Sequence, residues 1–520
     1  MTAGEQSETA NSNLSISRRQ TFLTSVGAAY MLGSSTVKGE ETTEIQTWHD
    51  LNSIRENLAG DYVLASSLDA ETDGYTEHVS SPDRGWEPIG EWHENPFTGT
   101  LTGNGNTISD LVINRPEESE VGLFRTIHEA SITDIKLHDV EITGRRSVGS
   151  LVGIVMTGTL SNVIVDGEVN HRDVLGGGLV GHNEGTITEC TTTGSVTGIS
   201  GEDGTANETG GIAGANGYGG KISDVYVEGP VEGDGRIGGV AGRNSSGTIE
   251  YATVAETVTG TTDRIGGVVG WLNDGGTVNR TEVVSDVYGS DDVGGIVGLN
   301  AEGSIEQSIA GGTVIGSIVV GGIVGHNSGE ITESASQGAV TDNREDKNGV
   351  GGQSTSVGGC VGQNDEDGII SQCYTTGTVE GEEMTGGVAG KNIGEITTVY
   401  WNGEKSDQSD CVGDNAGEIT NVEERPTNDM TGITAEETMN MLDFTDPWVT
   451  QTDPADYPTL QWQVEDNDRQ SRSQDDSKNE VETNDNAVRF TNPVIISAGG
   501  ILSLVGIYAV KRMISGEKEQ

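Results

Sequence analysis

A chain of 520 residues with 82 Asp and Glu against 28 Lys and Arg carries a net charge of -54, and the acid is spread along its whole length. Such a surface repels nucleic acid and anionic lipid, which excludes both as surface partners; it suits concentrated salt, where a Debye length of roughly 3 Å at 1 M screens self-repulsion, so a halophilic protein is expected. With 79 Gly and 4% aromatic residues, helix-rich packing is excluded in favour of many short strands joined by tight turns, and four scattered cysteines (Cys190, Cys360, Cys373, Cys411) are too few for a disulfide scaffold.

Residues 1–40 read as an export signal. In "SISRRQTFLTSVGAAYMLG" Arg18 and Arg19 precede a weakly apolar run from Phe22 to Gly33, the layout of a twin-arginine signal, with Phe22 and Leu23 one position late. No A-x-A cleavage site is evident, and no Cys follows the run, which argues against a lipid-anchored lipoprotein. Residues 41–100 are expected to form an N-terminal cap, in which 47–69 reads as a short amphipathic helix and then a strand.

Residues 101–422 repeat one motif. "GGLVGHNEGTI" at 177 returns as "GGVAGRNSSGTI" at 238, "GGIVGLNAEGSI" at 294, "GGIVGHNSGEI" at 321 and "GGVAGKNIGEI" at 386, at a step of about 28 residues. Gly176, Gly178 and Gly181 spell G-x-G-x-x-G, but a dinucleotide fingerprint used once does not recur at a fixed period with no helix after it. The period is too short for a propeller blade, and helical periodicity is absent, which leaves a β-solenoid of about twelve coils, a rod on the order of 55 Å long. The apolar residue closing each motif defines an inward column: Ile108, Ile132, Leu160, Ile187, Ile222, Ile249, Val278, Ile305, Ile331, Ile370, Ile396 and Ile419. A second inward column follows three residues later, from Leu111, Ile135, Val163 and Cys190 to Cys373, Val399 and Val422.

The paired glycines are expected to supply positive φ or close approach between coils. Asn183, Asn216, Asn244, Asn300, Asn327, Asn364, Asn392 and Asn415 read as a structural ladder at a left-handed turn, bonded up the stack. Two residues after the Ile column stand Asp110, Asp134, Asn162, Glu189 and Asp224, the one stripe able to bind a cation or act on sugars through paired carboxylates. Later coils put Tyr251, Arg280, Gln307 and Thr398 there, so a solvated acidic face is the simpler account. The lead-in "WEPIGEWHENPFTGTLTGNGNTISDLVI", the repeats "GGLVGHNEGTI" and "GGCVGQNDEDGIISQCYTTGTVEG", and the exit "VYWNGEKSDQSDCVG" resemble GLUG-motif repeat proteins, over roughly residues 44–463. The resemblance implies a right-handed parallel β-helix-like domain of adhesin-like surface proteins, sometimes appended to a peptidase, and carries no active site with it.

Insertions at 199–209 and 341–356 are expected to project as loops, the second as a binding contact. Asn207, Asn244 and Asn279 begin N-x-[ST] sequons. Residues 423–463 are expected to close the far end as a C-terminal cap, and 464–490 read as a disordered acidic linker. Within 491–512 an apolar run of about eighteen residues before Lys511 and Arg512 reads as a transmembrane anchor that leaves 513–520 cytoplasmic. His93-Glu94 and His128-Glu129 lack the second His of a zinc-peptidase motif, and neither a G-x-S-x-G elbow nor a Cys–His pair at a recognisable spacing is present. The sequence therefore predicts no catalytic, cofactor-binding or metal residues and no cofactor. It predicts a non-enzyme with an adhesive, binding or envelope-structural role at the cell surface, held by its C-terminal helix and meeting a cell-surface glycan or protein. A β-helix polysaccharide lyase or glycoside hydrolase is the alternative.

Overall fold

The computed structural model describes residues 42–80, 84–91, 94–200, 207–343 and 354–465. Arg18-Arg19, the apolar run 493–510 and the tail 513–520 lie outside the described residues, as do the centres of both insertions. Among the described residues no helix is long and apolar enough to cross a membrane.

The repeats build an all-β parallel solenoid of about ten turns. One coil shows the path: Leu175–Gly177 and Val180–Asn183, then Thr186–Thr192 and Ser195–Gly198. Stacking the first kind of strand gives a 10-stranded "glycine sheet", and the second an 11-stranded "asparagine sheet". The last two join into a 25-stranded "long sheet". About twelve coils is therefore one or two too many, because the first does not stack as its sequence suggests. Ile108 pairs with Leu137, and Leu101 takes the place beside Ile132.

From Ile132 to Ile419 the first inward column is in register at every step. The second column is buried with it, from Ile135 through Cys190, Ala252 and Ser308 to Val399. A strand alternates faces, so residues three apart ought to point to opposite sides. One left-handed residue between them reconciles the two: φ is 57° at Asp134, 55° at Glu189, 52° at Tyr251, 53° at Arg280, 49° at Glu333 and 55° at Thr398. That conformation costs an L-residue roughly 1–2 kcal/mol, offset here by burying two side chains per coil instead of one.

The left-handed column is thus the stripe that began as a candidate site, and the asparagines are not left-handed. All but the exposed Asn415 are buried, and they donate along the stack: Asn183 Nδ2 to Asn216 Oδ1 at 2.8 Å, Asn216 to Asn244 at 3.0 Å, Asn300 to Asn327 at 2.9 Å and Asn327 to Asn364 at 2.8 Å. Leu272 interrupts the ladder between Asn244 and Asn300. The second glycine of each pair serves close approach. A Cβ on Gly178, Gly239, Gly267 or Gly295 would lie 2.1–2.2 Å from the carbonyl oxygen of the glycine in the next coil, and none of these has positive φ.

The four cysteines are free thiols, three buried and Cys411 half-buried. Burial pushes the Cys190 thiol up to about 12. Cys360 is raised by its hydrogen bond with Cys373 and by burial.

At the N-terminal end Thr47 and Asp50 form a capping box on the helix Trp48–Ser53. Trp48, Leu51, Ile54, Trp86 and Phe97 are fully buried beneath it, and Asp61–Leu64 continues into the long sheet. The other end differs from expectation. Residues 430–462 fold back along the flank, where Met430, Met439, Trp448 and Trp462 pack on Ile309, Ala335, Tyr374 and Tyr400. Trp462 Nε1 donates to the Gln307 carbonyl at 3.0 Å. The reason is an apolar outer column: Ile309, Ala335, Tyr374 and Tyr400 are successive partners in the long sheet. Ile419, in the last coil, stays 37% exposed.

Candidate functional site

The acidic stripe does not converge. Asp110 leaves it: the Asp110 N–H donates to the His138 carbonyl, and Val112 pairs with Glu141, which sets Asp110 beside Asp139 and away from Asp134. Asp134 accepts from Asn162 Nδ2 at 2.7 Å, while Glu189 and Asp224 stand exposed on their coils. The geometry of this column is that of a backbone turn, and its later side chains contact each other or the C-terminal segment: Gln307 Nε2 donates to Glu333 at 2.8 Å, and the Tyr251 ring meets that of Trp462.

The displaced turn gathers other groups. A register shift between Val165 and Gly167 brings Asp166 against His138 and Asp139. His138 Nδ1 lies 2.7 Å from Asp166 and its Nε2 3.3 Å from Asp139. One imidazole nitrogen and two carboxylate oxygens within 4.8 Å of one another are the residues able to hold a metal ion among those described. The sequence reading passed over them because His138 and Asp166 lie in different coils.

A third arrangement occupies the outer angle between the glycine and asparagine sheets. Along one wall the register stacks Glu208, Arg236 and Arg264; along the other it stacks His182, Ala215, Arg243, Trp271, Leu299 and His326. Glu208, almost fully buried, accepts from Arg236 Nη1 at 2.6 Å and from Arg243 Nε at 2.9 Å. The Arg236 and Arg264 guanidiniums lie 4.5 and 5.2 Å from the Trp271 ring centroid, within cation–π range. Arg264 Nε reaches Asp263 at 3.4 Å. Arg236 Nε and Trp271 Nε1 are buried and make no hydrogen bond among the described residues.

Histidines flank this cluster in opposite states. Burial, and then Arg243, push His182 down to about 4, and its ring meets that of Tyr218, which is 81% exposed. Burial alone would lower His326, but Asp292 at 3.4 Å and Asp365 at 2.7 Å outweigh it and push the group up to about 9. Sequence reasoning missed this cluster, although one signal was present: "GGVVGWLNDGG" puts a tryptophan at Trp271, where other coils have residues such as His, Arg, Gln, Lys, Ala or Leu, and Leu272 in place of the ladder asparagine.

The sequons fare differently from expectation. Asn207 and Asn244 are fully buried, so neither is a glycan site on the folded chain, and Asn279 is half-buried. Of the insertion 341–356, residues 344–353 lie outside the described residues.

Residues 35–167 match the family described as M26 IgA1-specific Metallo-endopeptidase N-terminal region. Halomucin from Haloquadratum walsbyi is 37% identical over 139 residues, 26% of this chain and 2% of that protein. An immunoglobulin A1 protease of Streptococcus pneumoniae is 28% identical over 152 residues, 29% of this chain and 7% of that protein. A putative Gly-rich membrane protein of Evansella cellulosilytica is 32% identical over 110 residues, 20% of this chain and 12% of that protein. Among solved structures, a putative immunoglobulin A1 protease from Bacteroides ovatus aligns with 82% of this chain and 94% of its own at 14% identity and a TM-score of 0.34. The chain thus spans 2%, 7% and 12% of the length of the three sequence relatives it matches. The peptidase matches correct the expectation of a non-enzyme. They relate the chain to a region of a metallo-endopeptidase, and its lack of a recognisable zinc motif was no ground for setting that chemistry aside.

Proposed function

We propose that this protein is a GLUG-type repeat solenoid displayed outside the cell, where its outer faces bind a partner in an adhesive or envelope role. The single observation that carries this reading is the cleft around Trp271. There a chain of net charge -54 concentrates three arginines, one aromatic ring and two buried donors that make no hydrogen bond among the described residues. Solenoids present such continuous side faces because each coil spends its inward residues on its neighbours and leaves the outer columns free to vary. The Arg18-Arg19 segment and the apolar run 493–510 support export and anchoring, and the net charge together with the halomucin match supports a salt-rich setting.

Two measurements on cells test this. Protease added to intact cells should degrade the repeats, and cells lacking the protein should attach more weakly to surfaces or to one another. Protected repeats together with unchanged attachment would overturn the proposal. The peptidase matches favour a second reading, in which the solenoid delivers a bound protein to a peptidase activity. Peptide bond cleavage in a protein panel by the purified full chain, abolished by a chelator, would favour it.

A further inference from the structure

We infer that the cleft around Trp271 binds an acidic polysaccharide, a sugar chain bearing carboxylate or sulfate groups; this rests on the binding role proposed above and names its ligand. Arg236 and Arg264 stand in consecutive coils, since Ile237 pairs with Ile265, so their guanidiniums repeat along the axis at the strand spacing of about 4.8 Å. Trp271 holds both by cation–π contact, and Glu208 fixes Arg236 and Arg243 from below. Guanidiniums restrained in this way are pre-organised for paired bonds to an anionic group, because little side-chain entropy remains to be lost. Among the described residues two carboxylates, Glu208 and Asp263, pair with the three guanidiniums, while Asp292, next in register after Arg264, pairs with His326.

Two further observations favour a sugar chain over an acidic peptide. Extended peptides commonly bind by adding a strand to a sheet edge. Here the strands Arg236–Gly238, Asp263–Gly266, Ala241–Ser245 and Val269–Asn273 are paired on both sides, so no backbone edge is open. A polysaccharide needs only side-chain donors and an exposed ring. Tyr218, beside His182 in the coil before Arg243, presents that ring.

The test measures binding of the purified full chain in 2 M KCl to polygalacturonate, heparin, neutral dextran and poly-glutamate. At that salt, contacts between exposed charges are screened, while paired bonds in a partly buried cleft persist. Polygalacturonate or heparin should bind, the two separating carboxylate from sulfate recognition, and dextran should not. Arg264→Gln should weaken binding at least tenfold. Arg264→Lys, which keeps the charge and loses the planar fork, should weaken it severalfold with an unchanged circular dichroism spectrum. Lys391→Gln, farther along the same wall, should change nothing. Equal binding of dextran, tighter binding of poly-glutamate, or an equal loss in Lys391→Gln would overturn the inference. Cells that still attach through a protein that binds neither acidic polysaccharide would sink the ligand while leaving the binding role standing.

Discussion

Asn327 and Glu333 stand six residues apart in one coil and belong to opposite kinds of column. Asn327 is fully buried, accepts from Asn300 and donates to Asn364 at 2.8 Å, and the same residue type recurs up the stack. Glu333 carries left-handed backbone at φ 49°, faces outward, and shares its column with Asp, Asn, Tyr, Arg, Gln and Thr. Residue identity in a solenoid therefore records contact with the next coil. Backbone strain leaves no such record when the inward residues on either side outweigh it.

The largest effect should come from breaking the buried column. Asn327→Ala together with Asn364→Ala leaves Asn300 Nδ2 and Asn392 Oδ1 without their ladder partners. A loss of about 3 kcal/mol is expected by denaturant titration in molar KCl. Leu272 shows that one apolar substitution is accommodated, so an unchanged midpoint in the double variant would mean the ladder only fills space.

The outer face should answer to pH on the alkaline side, through His326. The folded His326 is raised to about 9 against an unfolded value of about 6.5. Its contribution is complete below about pH 6.5 and is lost as pH rises through about 9, on the order of 1–2 kcal/mol. His326→Gln should flatten stability over that window, and an identical slope in the variant would locate the dependence elsewhere.

Relieving the strained column should stabilise. Thr398 is β-branched at φ 55°, and Thr398→Gly should gain up to about 1 kcal/mol; a loss would mean the side chain matters more than the backbone. The smallest effect is expected at Asp134→Asn, within about 0.5 kcal/mol, since the substitution keeps an acceptor for Asn162. A larger change would restore a specific role to the acidic stripe.

The comparison also explains what was legible in advance. The inward columns, the glycine corners and the asparagine bonds follow from the sequence alone. Each is a contact between a residue and its equivalent one coil away, so it is written at a fixed spacing of about 28 residues. Contacts that break the period could not be read that way. The place of Leu101 beside Ile132, the turn that moves Asp110 to Asp139, and the meeting of His138 with Asp166 depend on an irregular first coil and a register shift. The C-terminal segment lies on the flank because Tyr374 and Tyr400 offer it an apolar outer column, a preference visible only once the coils are stacked. Around Trp271, Glu208, Arg236, Arg243 and Arg264 come from three coils and two sheets. Their charges pair because the corner between the sheets folds one wall against the other, and only the tertiary structure decides that angle.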